Sequence, residues 1–166
     1  MLLAASLAAP ACGYRVAGRG LRLPPTVKVI AIPAFVNQTS WMRLEQKLTA
    51  AVMQEFIHRA RYKIVGDEKE ADAVLRATIT EAGSVPVVFD PETGRATAAV
   101  VMVRVNVTLR ERGSRGVLFA NPDYLFREQY EITGNLDTFF EERGPALDRL
   151  ARDFAATLVT AVLENF

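Results

Sequence analysis

The first residue that could carry chemistry is Cys12, the single cysteine of this 166-residue chain. It follows an apolar start rich in Ala and Leu that ends in the small residues Ala9 and Ala11. This arrangement is typical of a secretory signal whose cleavage leaves cysteine as the first residue of the mature protein. We therefore predict that residues 1–11 are a signal peptide, that Cys12 is lipidated, and that its acyl chains tether the protein to a membrane.

The predicted signal departs from the usual pattern in two respects. No Lys or Arg precedes the apolar run, and the segment is shorter than the roughly 15–30 residues that such signals usually have. A start codon placed too late in the reading frame would account for both departures. The alternative interpretation is an unprocessed N-terminus in which Cys12 is a buried free thiol.

A second group of residues with binding chemistry is a run of arginines. Arg accounts for 16 of the 20 basic residues, and its planar guanidinium suits phosphate better than the ammonium group of Lys. Four of them could clamp a phosphorylated ligand through charge-assisted bonds: Arg104, Arg110, Arg112 and Arg115. Arg104 and Arg110 share one strand face because an even number of residues separates them. The alternative is a solvated hairpin whose charges discourage edge-to-edge pairing.

Catalytic chemistry is scarce in this sequence. His58 is the only histidine and falls late in a predicted helix, where a surface histidine is the simpler interpretation. The neighbouring Glu141 and Glu142 point apart on a helix and fit a solvated face better than an acid–base pair. Metal sites usually need several His or Cys ligands, and no Gly-rich phosphate loop occurs. We expect no enzyme, catalytic residue, metal or cofactor, and the net charge of +1 argues against nucleic-acid binding.

The elements that must position these residues follow from hydrophobic periodicity. Apolar residues at every third or fourth position predict helices, whereas alternation predicts strands. Pro86 confines the end of one strand to an edge or a bulge. The predicted helices cover about 41–60 and a segment beginning at Pro145, and the predicted strands cover 27–33, 62–65, 73–80 continuing to 85–89, 97–110 and 124–132.

This order of elements predicts an α+β fold. We expect a two-layer sandwich in which two helices pack on one face of a mostly antiparallel sheet of about four strands. Residues 12–26 would form a lipid-anchored tether and residues 27–166 a single domain. The other face of the sheet would stay uncovered and mixed in polarity, with Val74, Val88 and Met102 lying among polar side chains.

Several blocks of this sequence resemble the lipopolysaccharide-assembly lipoproteins, the LptE family. The likeness runs from Cys12 to the last helix and is specific in the first third of the chain. The blocks are Cys12-Gly13-Tyr14-Arg15-Val16-Ala17-Gly18, Leu23-Pro24, Ile30-Ala31-Ile32-Pro33-Ala34-Phe35-Val36-Asn37-Gln38-Thr39 and Ala71-Asp72-Ala73-Val74-Leu75.

The resemblance implies a lipid anchor on the periplasmic face of the outer membrane. Gly13 agrees with that location, because an aspartate there is the usual inner-membrane retention signal. Family members plug the β-barrel protein LptD, and the two together place lipopolysaccharide in the outer leaflet. The phosphates of lipopolysaccharide would then be the ligands of the four arginines. The sequence also resembles lipoproteins related to curli-secretion subunits, which form oligomeric export channels, and a periplasmic scaffold for envelope enzymes is a third possibility.

Overall fold

The fold is described from a computed structural model. The structure describes residues 23–59, 62–113, 116–132 and 145–164. The predictions for Cys12, for Arg115, for the pair Glu141 and Glu142 and for most of the 12–26 tether lie outside the described residues.

Six strands and two α-helices make up the described chain. In chain order they are β1 Val29–Ala31, β2 Val36–Asn37, α1 Leu44–Arg59, β3 Lys63–Val65, a 3₁₀ turn at Glu68–Glu70, β4 Ala73–Phe89, β5 Ala96–Glu111, β6 Val117–Glu131 and α2 Pro145–Glu164.

The strands form one mixed sheet in the order β3-β1-β4-β5-β6, with β2 pairing separately with β4. β1 runs parallel to β3 and β4, and β2 also runs parallel to β4, whereas β4, β5 and β6 form an antiparallel meander. The α+β class is confirmed, but a mostly antiparallel sheet of about four strands was wrong. Two short strands lie beside β4 in parallel, and β2 has only two residues, too few for a visible alternation.

The long strands continue through positions at which the residue types predict the end of a strand. A register shift in the pairing of β4 with β5 lies directly after Pro86, between Pro86 and Val88, where the sequence predicts an edge or a bulge. β6 begins at Val117, earlier than the predicted start at 124. Asn121, Pro122 and Asp123 suggest a turn by residue type, but they lie at a register shift within β6 and the strand continues past them.

Both helices pack on the same face of the sheet, as predicted. The inward residues of β5 alternate strictly and are fully buried: Val101, Val103, Val105, Val107 and Leu109. They share one core with the apolar stripes of the helices, which include Leu44, Leu48, Val52 and Phe56 of α1 and Leu147, Leu150, Phe154, Leu158 and Val162 of α2. Phe154 meets Phe126 and Tyr124 of β6 edge-on at centroid distances of 5.8 and 6.0 Å.

Polar contacts at both ends join the two helices. Near their starts, Lys47 of α1 donates to Asp148 of α2 at 2.5 Å. Near their ends, Arg59 of α1 donates to the hydroxyl of Thr160 of α2 at 2.5 Å. Because one contact joins the starts of the two helices and the other joins their ends, α1 and α2 run in the same direction across the sheet. Neither of these helices is long and apolar enough to cross a membrane.

Candidate functional site

The face of the sheet opposite the helices is not covered by either of the described helices. It carries the β5 side chains that alternate with the core residues, among them Met102, Arg104, Asn106, Thr108 and Arg110. We call this surface the open face. Its mixture of apolar, amide, hydroxyl and guanidinium groups agrees with the mixed polarity that the sequence predicts.

One end of the open face is covered by the chain itself. Val74, expected to be exposed there, is only 6% exposed. It forms a small apolar cluster with Ala31 of β1 and Ala71, the residue that follows the 3₁₀ turn. The expectation for Val74 was wrong because Ala31 of the neighbouring strand β1 and Ala71 pack against its side chain.

Arg104 lies near the middle of the open face between two carboxylates. Its Nε donates to Glu81 of β4 at 3.0 Å, and its Nη1 donates to Asp123 of β6 at 2.5 Å. The hydrogen bonds with Asp123 and then Glu81 raise the pKa of the Arg104 guanidinium. The positive charge of Arg104 is therefore compensated within the sheet, and the three side chains together carry one net negative charge. Sequence reasoning missed this pairing because both acids come from neighbouring strands.

A second group of basic residues surrounds Asp72 at the end of the sheet where β5 finishes. Both backbone amides of Lys28 and Val29 donate to one Asp72 carboxylate oxygen at 2.9 Å. The backbone amide of Arg112 donates to the Asp72 carbonyl at 2.7 Å. Arg110 pairs with Val74, two residues after Asp72. We call Lys28, Arg110 and Arg112 the basic corner.

The electrostatics of the basic corner agree with this geometry. The hydrogen bonds from the amides of Lys28 and Val29 lower the pKa of Asp72, and the charges of Lys28 and Arg112 lower it further. All three basic side chains of the corner are exposed. Within the described ranges, none of the three side chains forms a close ion pair with a carboxylate. The corner therefore offers cationic groups to an anionic ligand.

The structure divides the predicted arginine cluster. Arg104 and Arg110 share a strand face as predicted, yet six residues of a strand separate them by roughly 20 Å. Arg110 and Arg112 lie at the corner, and Arg115 is outside the described residues. Lys28 joins them there although it is more than 80 positions away in sequence. This proximity of Lys28 to the arginines follows only from the parallel pairing of β1 with β4, which the structure shows.

The turn between β2 and α1 is organised by the side chain of Asn37. Its amide nitrogen donates to the carbonyl of Trp41 at 2.7 Å and to the Glu45 carboxylate at 2.8 Å. Its oxygen accepts from the backbone amide of Thr39 at 2.9 Å and from the Thr39 hydroxyl at 2.8 Å. The Asn-x-Thr pattern is thus a structural turn that directs the chain into α1.

Catalytic and metal-binding geometry is limited in this structure. His58 is exposed in the last turn of α1. In the ranges that the structure describes, no three His, Cys, Asp or Glu side chains come close enough together to hold a metal ion. The open face and the basic corner present polar and charged side chains at the surface.

A family model supplies the decisive comparison. The model for LptE, described as lipopolysaccharide-assembly, matches residues 27–162. The chain belongs to the LptE family. The family is one of non-enzymatic lipoproteins of lipopolysaccharide assembly, and the matched range contains all six strands of the sheet, α1 and nearly all of α2.

Solved structures with a similar fold share little sequence with this LptE-family chain. Protein XCC0632 from Xanthomonas campestris aligns with a TM-score of 0.56 at 8% identity, covering 84% of this chain and 85% of that one. An uncharacterized lipoprotein B from Nitrosomonas europaea aligns with a TM-score of 0.52 at 14% identity, covering 91% and 90%. The PelC dodecamer from Paraburkholderia phytofirmans aligns with a TM-score of 0.51 at 12% identity, covering 83% and 90%. These likenesses establish the fold. Among curated protein sequences, none matches the chain significantly.

Proposed function

We propose that this protein is an outer-membrane lipoprotein that plugs an LptD-type β-barrel, helps the barrel to assemble and assists the insertion of lipopolysaccharide into the outer leaflet. The observation that carries the proposal is the family match over residues 27–162, which includes every strand of the sheet. Acyl chains on Cys12 would hold the protein on the periplasmic face of the outer membrane. No catalytic step and no cofactor is part of this function.

The polarity of the open face supports a plug inside a barrel. Large membrane barrels have polar interiors that offer hydrogen-bonding groups. Thr108 and Asn106 would offer hydrogen bonds to such a wall, and the Arg104 guanidinium would not meet it as an unpaired cation because Glu81 and Asp123 are already bonded to it. Burying a charge that is paired costs far less than burying one alone. The open face is therefore suited to a polar, protein-lined lumen.

The basic corner is the proposed contact for the phosphates of lipopolysaccharide. Guanidinium groups bind phosphate through charge-assisted hydrogen bonds, which are roughly twice as strong as neutral ones. Arg110 and Arg112 have exposed side chains there, and Lys28 adds a third cation. We assign Arg104 a smaller part in ligand binding because Glu81 and Asp123 already engage two of its three donor nitrogens. Arg115, three residues beyond Arg112 in the sequence, completes the proposed ligand-binding set.

The test is to purify the acylated protein from membranes in mild detergent and to identify what accompanies it. Co-purification of one large outer-membrane barrel together with lipopolysaccharide is the expected result. The likeness to the PelC dodecamer keeps an oligomeric secretion-channel lipoprotein as the second candidate. A ring composed only of copies of this chain, with no barrel, would favour that candidate and overturn the plug.

A further inference from the structure

The hairpin formed by the end of β4 and the start of β5 carries an unusual amount of exposed apolar surface. We call residues 83–102 the arm. Four apolar side chains near the end of β4 are about half exposed: Val85 at 51%, Val87 at 43%, Val88 at 46% and Phe89 at 56%. Large apolar side chains grouped on a surface usually mark a contact with another molecule.

The tip of the arm is a rigid turn. Asp90 accepts from the backbone amides of Glu92 and Thr93 at 3.0 and 2.6 Å and from the Thr93 hydroxyl at 2.9 Å. These bonds, led by those from Thr93, lower the pKa of Asp90. Gly94 adopts a φ of +67°, which a residue with a Cβ rarely tolerates. The exposed apolar side chains are thus held on a preformed support.

The backbone edge of the arm is protected against strand addition. β1 and β2 pair with β4 only as far as Ile79, so the following residues of β4 have a partner strand on the β5 side alone. Pro86 interrupts this free edge because it has no amide hydrogen to donate. Register shifts on both sides of Val88 distort the edge further. A partner would therefore recognise the arm through its side chains.

The charges around the apolar side chains favour a protein partner over a lipid partner. Asp90 and Glu92 lie at the tip beside a single cation, Arg95. A hairpin that entered a bilayer by its tip would carry two carboxylates towards hydrocarbon, which is costly, and anionic lipids would repel it. A protein surface can offer an apolar recess together with a basic group that faces these acids.

We propose that the arm is the principal docking element of this protein, and that its occupant is a protein wall presenting an apolar recess next to a basic side chain. This inference rests on the proposed function, in which that wall belongs to the outer-membrane barrel. Val85, Val87, Val88 and Phe89 supply the buried contact, and Glu92 supplies the charge that sets the orientation.

The test replaces the apolar contact while keeping the shape of the strand. In the arm variant, Val85→Thr, Val87→Thr and Val88→Thr substitute side chains of nearly equal volume and high β-propensity, and Phe89→Thr removes the ring. The matched control is Ile57→Ser, because Ile57 is a 51% exposed apolar residue on α1. The acylated full chain is purified in detergent, and the captured barrel is quantified by mass spectrometry. Thermal unfolding and circular dichroism show that each variant is folded.

We expect the arm variant to capture at least about tenfold less barrel than the wild type, and Ile57→Ser to capture as much as the wild type. Glu92→Lys should lower capture more than Glu92→Gln does. Undiminished capture by the folded arm variant would overturn the inference and leave the plug in place. If the wild type itself captures no barrel, the proposed function fails and the inference fails with it.

A lipid occupant is tested separately. The non-acylated Cys12→Ala protein is mixed with vesicles of phosphatidylethanolamine and phosphatidylglycerol and floated on a density gradient. We expect no flotation from either the wild-type arm or the arm variant. Flotation that depends on the four apolar side chains would replace the protein occupant by a lipid surface. A photo-crosslinker at Val88 that reacts only within its own chain would equally overturn the proposal.

Discussion

The carboxylate of Asp72 accepts a hydrogen bond from the backbone amide of Val29 at 2.9 Å, and the Asp72 amide donates to the Val29 carbonyl at the same distance. One residue just before β4 therefore bonds the first residue of β1 with both its main chain and its side chain. The same carboxylate oxygen also accepts from Lys28. Asp72 thus fixes how β1 enters the sheet and where the basic corner forms.

Asp72→Asn should destabilise the protein in a pH-dependent way. The folded state lowers the pKa of Asp72 from its ordinary value of 3.8, so the carboxylate stabilises the fold above that pH. This stabilisation is lost as the pH falls through the lowered folded pKa. The melting temperature of wild type should exceed that of the variant at pH 7, and the gap should close below about pH 4. Glu92→Gln at the arm tip is the control, and a constant gap across this range would contradict the prediction.

Thr49→Val should lower stability by about 1–3 kcal/mol, because it leaves a buried amide without a partner. Thr49 is 8% exposed, and its hydroxyl accepts from the amide of Phe35 at 3.0 Å while donating to the Glu45 carbonyl at 2.6 Å. Thr49→Ser keeps both bonds and loses one methyl group, which should cost about 1 kcal/mol or less. Urea unfolding measures both values. Equal losses would show that the hydroxyl contributes nothing beyond packing.

Asn37→Ala should lower stability by about 1–2 kcal/mol because it removes the four hydrogen bonds that hold the turn before α1. The side chain of Gln38 is exposed next to it, so Gln38→Ala should change stability by less than about 0.5 kcal/mol. Hydrogen exchange should show the first turn of α1 opening more readily in the Asn37 variant alone. Identical exchange in both variants would refute the structural role of Asn37.

Sequence periodicity is informative here wherever one face of an element meets the core. The stripe of α1 and the alternation of β5 are both visible in the chain, because burial selects apolar residues at fixed intervals. β2 escapes this reasoning since its two residues, Val36 and Asn37, are too few to alternate. Periodicity also cannot predict which distant segments of the chain pair with each other. The proximity of Lys28 to Arg112 depends on which strands neighbour β4, and periodicity carries no record of that order.

The site was predictable to a similar degree. Residue type alone led to the prediction that arginines bind phosphate, which stays a prediction, and strand parity placed Arg104 and Arg110 on one face. The register between neighbouring strands brings the acidic partners of Arg104 next to it. A shift of one residue in that register would turn their side chains to the other face of the sheet and abolish the pairing. The family motif around Asp72 is explained by β1 pairing, and the one around Asn37 by turn geometry. The residues of both blocks therefore have a structural role in the fold.

Cys12→Ala should release the protein from membranes. A single acyl chain binds a bilayer only marginally, so the several chains of a bacterial lipoprotein are what make the anchoring stable. When the chain is expressed behind a functional lipoprotein signal sequence, the wild type should fractionate with outer membranes and the variant should be released or mislocalised. Mass spectrometry of the first mature peptide should show acylation of Cys12. A soluble, unacylated wild type would remove the basis for the proposed location.

Replacing the basic corner should weaken binding of lipopolysaccharide more than replacing Arg104. The triple variant Lys28→Ala, Arg110→Ala and Arg112→Ala removes exposed cations, none of which forms a close ion pair with a carboxylate in the described part of the chain. Each charge-assisted bond is worth about 1.5–3 kcal/mol before screening by solvent, so the affinity for lipopolysaccharide should fall at least about tenfold.

Arg104→Ala is the matched control for this prediction. It also removes a guanidinium from the open face, but one that is already paired with two carboxylates, those of Glu81 and Asp123. The measurement is equilibrium binding of purified lipopolysaccharide, repeated with dephosphorylated lipopolysaccharide and at two salt concentrations. The wild type should lose affinity for the dephosphorylated form and at high salt, and the triple variant should be insensitive to both. If Arg104→Ala abolished binding while the triple variant retained it, the phosphates would bind at the centre of the open face, and the basic corner would be only a solvated end of the sheet.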